Sequence, residues 1–129
     1  MLIAEDNFVS RKLLNKQLTD LGEVDVANNG REAIKAVEIA INDNALYDLI
    51  FLDIMMPEVN RLQVLVAIRN LESKKGLDKK HTSKIIMTSA HSDKQVVENA
   101  IYASCNAYLV KPVTKERLYN EVKRLGFKI

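Results

Sequence analysis

Charged and hydroxyl side chains come directly after four short apolar runs of the sequence. The six residues are Glu5, Asp6, Asp53, Thr88, Ser89 and Lys111. Carboxylates that are held together repel one another unless a cation neutralises them. Carboxylate oxygens beside open positions suit Mg²⁺, which binds through one or two carboxylates and phosphate oxygens. The residue types therefore predict a magnesium-binding acid pocket with hydroxyl and ammonium groups beside it.

The acids have a second interpretation, because acidic residues also stabilise the first turn of a helix. Glu5 and Asp6 come before the first helical stretch of the sequence, so they could simply cap that helix. Asp53 is harder to explain in this way, since four apolar residues precede it and three more follow. The three acids together favour the metal pocket, while the capping role of Glu5 and Asp6 stays open.

Lys111 and Thr88 also have ordinary alternatives. Most lysines are solvated surface groups, and threonine is common in strands because its side chain is branched. Lys111, however, stands between an apolar run and Pro112, and the peptide bond before a proline is the kind that readily becomes cis. A turn of that kind could aim the ammonium group at the acids. The joint arrangement at four run ends supports a site more strongly than any single position.

The elements that must position these residues alternate along the chain. Short runs rich in Ile, Leu and Val, typical of strands buried on both faces, cover 1–4, 24–27, 48–52, 84–87 and 107–110. The stretches between them carry apolar residues at helical spacing, as Leu14, Leu18 and Leu21 do. This alternation predicts an α/β fold, a flavodoxin-like (βα)5 parallel sheet in the order 2-1-3-4-5 with helices on both faces. The carboxyl ends of the strands then meet at one edge, where ligands bind in such sheets.

Further helices are predicted over 60–71 and 93–103, and Leu118, Val122 and Leu125 repeat the helical spacing near the C-terminus. The longest polar segment, 72–84, is predicted to be an exposed loop that slightly extends the end of a helix.

The composition excludes several classes of protein. A chain of 129 residues has room for one domain, which we expect to span 1–129 with no output domain. Nineteen basic and seventeen acidic residues leave a net charge of +2, which argues against a dedicated nucleic-acid binder. The single cysteine, Cys105, indicates a reducing compartment, and no apolar run reaches the length of a membrane span. A cytoplasmic protein without a membrane or nucleic-acid contact is expected.

Four motifs of the sequence resemble those of one protein family in both order and spacing. They are Ala4-Glu5-Asp6-Asn7, Leu52-Asp53-Ile54-Met55-Met56-Pro57, Met87-Thr88-Ser89-Ala90 and Tyr108-Leu109-Val110-Lys111-Pro112. On these motifs the chain is similar to the receiver domain of two-component response regulators, over essentially its whole length. The resemblance implies that Asp53 is phosphorylated by a sensor histidine kinase or a histidine phosphotransfer protein.

The resemblance also implies a metal cofactor, Mg²⁺ or Mn²⁺ in its place. Asp6 and Asp53 would be direct carboxylate ligands, and Glu5 would bind through water. The backbone carbonyl of Met55 would be a further ligand.

The same resemblance implies which residues respond to phosphorylation. Thr88 and Lys111 would contact the phosphoryl group, and the small Ser89 would leave room for it to enter. Tyr108 would change rotamer, and the surface formed by the fourth and fifth strands and the helices that follow them would change with it. A downstream effector protein or an attached output domain would read that surface.

Two turns depart from the usual family pattern. Asn60 and Arg61 stand where family members commonly carry a glycine after the phosphorylation loop. A second glycine that is common before the fifth strand is replaced here in the run 103–106, which ends at Asn106. Asparagine tolerates a left-handed backbone better than most residues, so Asn60 and Asn106 are expected to take these turns.

Phe8 has two interpretations. It begins the first helix, where receivers of this type meet their phosphotransfer partner. The preferred interpretation is a hydrophobic staple or a partial core contact.

Three other functions could be proposed for the same residues. A haloacid-dehalogenase-type phosphatase also uses Asp, Thr or Ser, Lys and Mg²⁺, but it carries a second aspartate where this chain has Met55. A flavodoxin-like cofactor binder would need a hydroxyl-rich loop after the first strand. A receiver that has lost phosphorylation could serve as a docking module, but this chain retains Asp6, Asp53, Thr88 and Lys111. We therefore expect a signalling phosphoacceptor rather than an enzyme that turns over external substrates.

Overall fold

The computed structural model of the protein describes residues 1–5, 7–53, 61–78, 81–89, 105–110 and 113–127. Five strands in these ranges form one parallel sheet in the order β2-β1-β3-β4-β5. They are β1 (Leu2–Ala4), β2 (Asp25–Ala27), β3 (Leu49–Asp53), β4 (Lys84–Ser89) and β5 (Ala107–Val110). The predicted α/β class and strand order are confirmed.

Four α-helices and a short 3₁₀ turn accompany the strands within the same ranges. They are α1 (Phe8–Leu18), α2 (Gly30–Asn42), α3 (Arg61–Lys74) and α4 (Lys115–Arg124), with the 3₁₀ turn at Thr19–Leu21. The helix predicted over 93–103 lies outside the described residues. None of the helices that the structure describes is both long and apolar enough to cross a membrane.

Several elements end a few residues away from their predicted limits. β3 ends at Asp53 rather than at 52, and β4 ends at Ser89 rather than at 87, because main-chain pairing continues into the polar residues. α3 reaches Lys74, three residues beyond its predicted end. Asp53, Thr88 and Ser89 are therefore strand residues and not the first residues of loops.

Two hydrophobic clusters, one on each face of the sheet, form the core. On one face Ile50 and Ile85 pack with buried residues of α2 and α3. On the other face Phe51 and Ile86 pack with buried residues of α1 and α4. Consecutive strand residues point to opposite faces, and helices on both sides bury nearly all of the apolar residues of the central strands β1, β3 and β4. This double burial is the reason why the strand segments read as nearly continuous apolar runs.

A partly buried polar network, here called the polar clamp, joins the end of α3 to the starts of β4 and β5. Its members are Arg69, Glu72, Ser83 and Asn106. The Arg69 guanidinium donates to the Glu72 carboxylate at 2.8 Å and to the Ser83 carbonyl at 2.9 Å. The Ser83 backbone N–H donates to Glu72 at 2.7 Å. The prediction of an exposed loop over 72–84 is therefore wrong for Glu72 and Ser83, which are buried with their polar groups paired.

Asn106 does not take the left-handed turn that its position predicted. Among the residues that the structure describes, the non-glycine residue with a positive φ is Asn44, at 55°. The side-chain oxygen of Asn106 instead accepts from the backbone N–H of Ile85 at 2.7 Å and from Arg69 at 2.8 Å. Glycine could not replace it without losing both bonds. Asn60 lies outside the described ranges.

Candidate functional site

The carboxyl ends of β1, β3 and β4 lie side by side at one edge of the sheet. Ala4 of β1 is paired with Leu52 of β3, and Glu5 and Asp53 come directly after these two residues. Asp53 is in turn paired with Thr88 of β4. The register therefore brings the main chains of Glu5, Asp53 and Thr88 together at three neighbouring strand ends, as expected for the acid pocket.

Glu5 is only 1% exposed although it is an acid. Its backbone N–H donates to the Ala27 carbonyl of β2 at 3.2 Å, and its side-chain Oε1 accepts from the Asn7 N–H at 3.1 Å. Its main-chain carbonyl accepts from the Arg11 guanidinium at 3.0 Å. Buried carboxylates are costly unless they are paired or bind a metal. Glu5 is therefore a buried acid that is anchored through its main chain and its carboxylate.

The cap of α1 is Asn7. Its side-chain oxygen accepts from the backbone N–H of Ser10 at 3.0 Å, and its backbone is extended, as at other helix N-caps. The carboxylate of Glu5 bonds to Asn7, which precedes the helix. Asn7 rather than Glu5 is therefore the N-cap residue, and the Glu5 carboxylate contributes to the helix start only by accepting from the N–H of that cap. Asp6, the other residue of the capping interpretation, lies outside the part of the chain that the structure describes.

Thr88 and Tyr108 lie on neighbouring strands, β4 and β5. Thr88 is buried, and its hydroxyl donates to the Leu52 carbonyl at 3.5 Å, close to the outer limit of a hydrogen bond. Such a long bond holds the hydroxyl weakly, so the group can turn to a better acceptor at small cost. Tyr108 is half-buried, is paired with Met87 and packs against the cluster that contains Met87.

The other predicted site residues are described in part or fall outside the described ranges. Asp53 ends β3, and Ser89, paired with Val110, ends β4; for both, the structure describes the backbone. Four predicted residues lie outside the described ranges: Asp6, Met55, Lys111 and Pro112. Lys111 comes directly after Val110 in the sequence. The roles of these side chains stay predictions.

Three large apolar side chains of α1 are exposed close to this edge of the sheet. This α1 apolar face consists of Phe8 (64% exposed), Val9 (72%) and Leu13 (52%). The Arg11 guanidinium lies 5.6 Å from the centre of the Phe8 ring, and the Lys12 ammonium lies 5.8 Å from it. The preferred interpretation of Phe8 as a staple or core contact is therefore wrong. Contiguous exposed apolar patches are a common feature of interaction surfaces, which makes this face a candidate for one.

Comparison with known proteins decides the family. The family model for the response regulator receiver domain matches residues 1–123. The chain belongs to the response regulator receiver domain family. A solved relative is the receiver domain of the histidine kinase CKI1 from Arabidopsis thaliana, crystallised with Mg²⁺ and BeF₃⁻. It superimposes on this receiver domain with a TM-score of 0.86 and 28% identity, covering 98% of this chain and 89% of that one.

Curated relatives of this receiver domain are histidine kinases. Hybrid signal transduction histidine kinase B of Dictyostelium discoideum is 35% identical over 134 residues. Peroxide stress-activated histidine kinase mak2 of Schizosaccharomyces pombe is 34% identical over 123 residues. The alignments cover 96% and 95% of this chain but only 6% and 5% of the relatives. This receiver domain of two-component signalling is thus homologous to the receiver portions of hybrid histidine kinases.

The contact between Arg11 and Glu5 could not be expected from the sequence. Arg11 shares α1 with Lys12 and Lys16, and its position in the apolar pattern does not separate it from them. Its partner is a main-chain carbonyl six residues earlier, and every residue has a carbonyl. The contact therefore depends on where the tertiary structure places the Glu5 carbonyl relative to α1.

Proposed function

We propose that this receiver domain accepts a phosphoryl group on Asp53 from a phosphohistidine of a sensor histidine kinase or a histidine phosphotransfer protein. The observation that carries the proposal is the strand register, in which Asp53 is paired with Thr88 next to the strand end that bears buried Glu5. Homology to histidine kinases supports a phosphohistidine as the donor. In this proposal residues 1–129 act as one receiver domain, either alone or within a longer kinase.

In the proposed transfer, a carboxylate oxygen of Asp53 attacks the phosphorus of the phosphohistidine. A P–O bond forms while the P–N bond breaks, and the electron pair of the broken bond returns to the imidazole nitrogen. Negative charge is spread over the three equatorial phosphoryl oxygens during this step. The Lys111 ammonium neutralises part of that charge, and the Thr88 hydroxyl donates to one of the oxygens. Ser89 leaves space for the group, and the product is an acyl phosphate.

The donor set of the chain fits Mg²⁺, or Mn²⁺ in its place, because all of the donors are hard oxygens. Glu5, Asp6, Asp53 and the main-chain carbonyl of Met55 would hold the ion. The burial of Glu5 supports the fit, since a buried carboxylate calls for a cation nearby. The bound ion would supply positive charge beside the phosphoryl oxygens. The related CKI1 domain was crystallised with Mg²⁺ and BeF₃⁻, which supports the same metal here.

Phosphorylation then changes the surface formed by β4, β5, α4 and the segment between the two strands. The Thr88 hydroxyl exchanges its long bond to the Leu52 carbonyl for a phosphoryl oxygen, and Tyr108 turns toward the space that it leaves. A downstream effector protein or an attached output domain reads the new surface. The domain is thus a phosphoacceptor that turns over no external substrate, and its single cysteine suits a reducing cytoplasm.

Incubation of the purified chain with Mg²⁺ and acetyl phosphate tests the proposal. The intact mass is expected to increase by one phosphoryl group, and removal of the metal with a chelator is expected to prevent the increase. A wild-type chain that gains no phosphoryl group with Mg²⁺ present would instead favour a docking module without phosphorylation.

Phe8→Ala is expected to slow phosphotransfer from a phosphorylated histidine phosphotransfer protein by about tenfold or more, because exposed aromatic side chains dominate many interfaces. The rate with acetyl phosphate should stay unchanged, since that donor needs no docking surface. Phe8 lies outside the core, so the stability should change by no more than about 0.5 kcal/mol. Initial rates with the two donors provide the measurement.

Ile39→Ala is the control for Phe8→Ala. Ile39 of α2 is 50% exposed and lies outside the α1 apolar face. Its truncation should leave both rates unchanged. If Phe8→Ala slowed the reaction equally with both donors, the docking role of Phe8 would be excluded.

A further inference from the structure

We propose that Arg11 is a positioning residue for the metal-binding acids and acts through its hydrogen bond to the main-chain carbonyl of Glu5. The guanidinium Nη1 lies 3.0 Å from that oxygen in a partly buried setting. This inference rests on the proposed function, since it gives Arg11 a part in loading the metal that phosphorylation requires.

The carbonyl of Glu5 belongs to the peptide unit that links Glu5 to Asp6. A peptide unit is planar, so a bond that fixes its oxygen also fixes the direction in which the next residue starts. The N–H of Glu5 is anchored to Ala27 at 3.2 Å, and its carboxylate is anchored to Asn7 at 3.1 Å. Arg11 supplies a further anchor, on the side of Glu5 that faces Asp6 along the chain.

Arg11 also links this peptide unit to the first turn of α1. Its backbone N–H donates to the Asn7 carbonyl at 2.9 Å, while its side chain reaches back to Glu5. Glu5 and Asn7, the residues on either side of Asp6 in the sequence, are therefore both bonded to Arg11 through their main-chain carbonyls. Arginine suits this task, because the guanidinium stays charged and its donors have a fixed geometry.

The charge of Arg11 and its hydrogen bond to Glu5 predict opposite changes in Mg²⁺ affinity when Arg11 is replaced. A fixed cation near the acids repels Mg²⁺, so the loss of charge alone would strengthen metal binding. The loss of a positioning bond would weaken it, since groups that orient metal ligands change affinity by about ten- to hundredfold. The direction of the change in affinity therefore separates the two roles.

A Mg²⁺ titration of the wild type, Arg11→Gln and Lys12→Gln tests the inference, by calorimetry and by the rate of phosphorylation with acetyl phosphate. Lys12→Gln is the matched control, because Lys12 is the adjacent cation and also lies over the Phe8 ring. Arg11→Gln is expected to raise the dissociation constant for Mg²⁺ about tenfold. Its rate at saturating Mg²⁺ should stay within about twofold of the wild type. Lys12→Gln should change neither quantity.

Arg11→Lys keeps the charge but loses the planar fork, so its affinity for Mg²⁺ should lie between those of the wild type and Arg11→Gln. If thermal unfolding shows that Arg11→Gln is not folded, Arg11→Lys takes its place in the Mg²⁺ titration. Unchanged or tighter Mg²⁺ binding in Arg11→Gln would overturn the proposal, as would a lower maximal rate at unchanged affinity. If the wild type binds Mg²⁺ but gains no phosphoryl group, the proposed function fails, whereas the calorimetric comparison still decides the role of Arg11.

Discussion

We expect the Asp53→Asn variant to take up no phosphoryl group from acetyl phosphate under conditions in which the wild type gains one. Asparagine keeps the size of the residue that ends β3, but its amide is a poor nucleophile and forms no acyl phosphate. The substitution also removes one of the proposed carboxylate ligands of Mg²⁺. The intact mass after incubation with the donor and Mg²⁺ reports the result.

Asp48→Asn is the matched control for Asp53→Asn, because Asp48 immediately precedes the opposite end of the same strand. Its main-chain carbonyl accepts from the Lys84 N–H at 2.9 Å, and asparagine preserves that bond. The control should gain one phosphoryl group, as the wild type does. Phosphorylation of Asp53→Asn to the wild-type extent would assign the acceptor to another residue.

Glu72→Ala is expected to lower the free energy of unfolding by about 3 kcal/mol, since it removes the buried carboxylate of a partly buried ion pair. The variant deprives the Ser83 N–H of its acceptor and the Arg69 guanidinium of its anion. Arg69 keeps the Ser83 carbonyl and Asn106 as acceptors, which holds the loss near the lower end of the usual range. Equilibrium unfolding in urea measures the difference.

Glu38→Ala provides the comparison on α2. Glu38 pairs with Lys35 at 3.7 Å, also three residues apart on a helix, but both side chains are exposed. Exposed ion pairs contribute about 0.2–1 kcal/mol, so this variant should lose less than 1 kcal/mol. Glu72→Gln keeps one acceptor oxygen, so its loss of unfolding free energy should lie between those of Glu72→Ala and Glu38→Ala. Equal losses in Glu72→Ala and Glu38→Ala would show that the polar clamp stabilises the fold no more than a surface pair does.

The fold class and the strand order could be predicted because strands that are buried on both faces are apolar at nearly every position. Residues such as Ile50, Phe51 and Ile86 are apolar whichever face they point to, so the strands stand out as short apolar runs. The ends of the elements could not be predicted as well. Main-chain pairing carries β3 to Asp53 and β4 to Ser89, and that pairing does not depend on whether a side chain is polar.

The strand-end positions of Glu5, Asp53 and Thr88 could be predicted for the same reason, since each follows an apolar run. The network around Glu72 could not be predicted. A glutamate near the end of a helix in a polar segment is ordinarily solvated; Arg69 lies one helical turn before Glu72, but only the tertiary structure brings Ser83 to its carboxylate. The exposure of Phe8 is the reverse case. An aromatic residue at the start of a helix is expected to pack inward, but Phe8 is 64% exposed, and the sequence does not show which way it points.

The polar clamp and the predicted acid pocket lie at opposite ends of β4. Ser83 and Asn106 precede β4 and β5, whereas Thr88 lies near the far end of β4, a strand of six residues. At a rise of about 3.3 Å per residue, the two ends of β4 are roughly 17 Å apart. Substitutions more than about 10 Å apart usually change stability additively, so a substitution at one end of β4 should leave the contribution of the other end nearly unaltered.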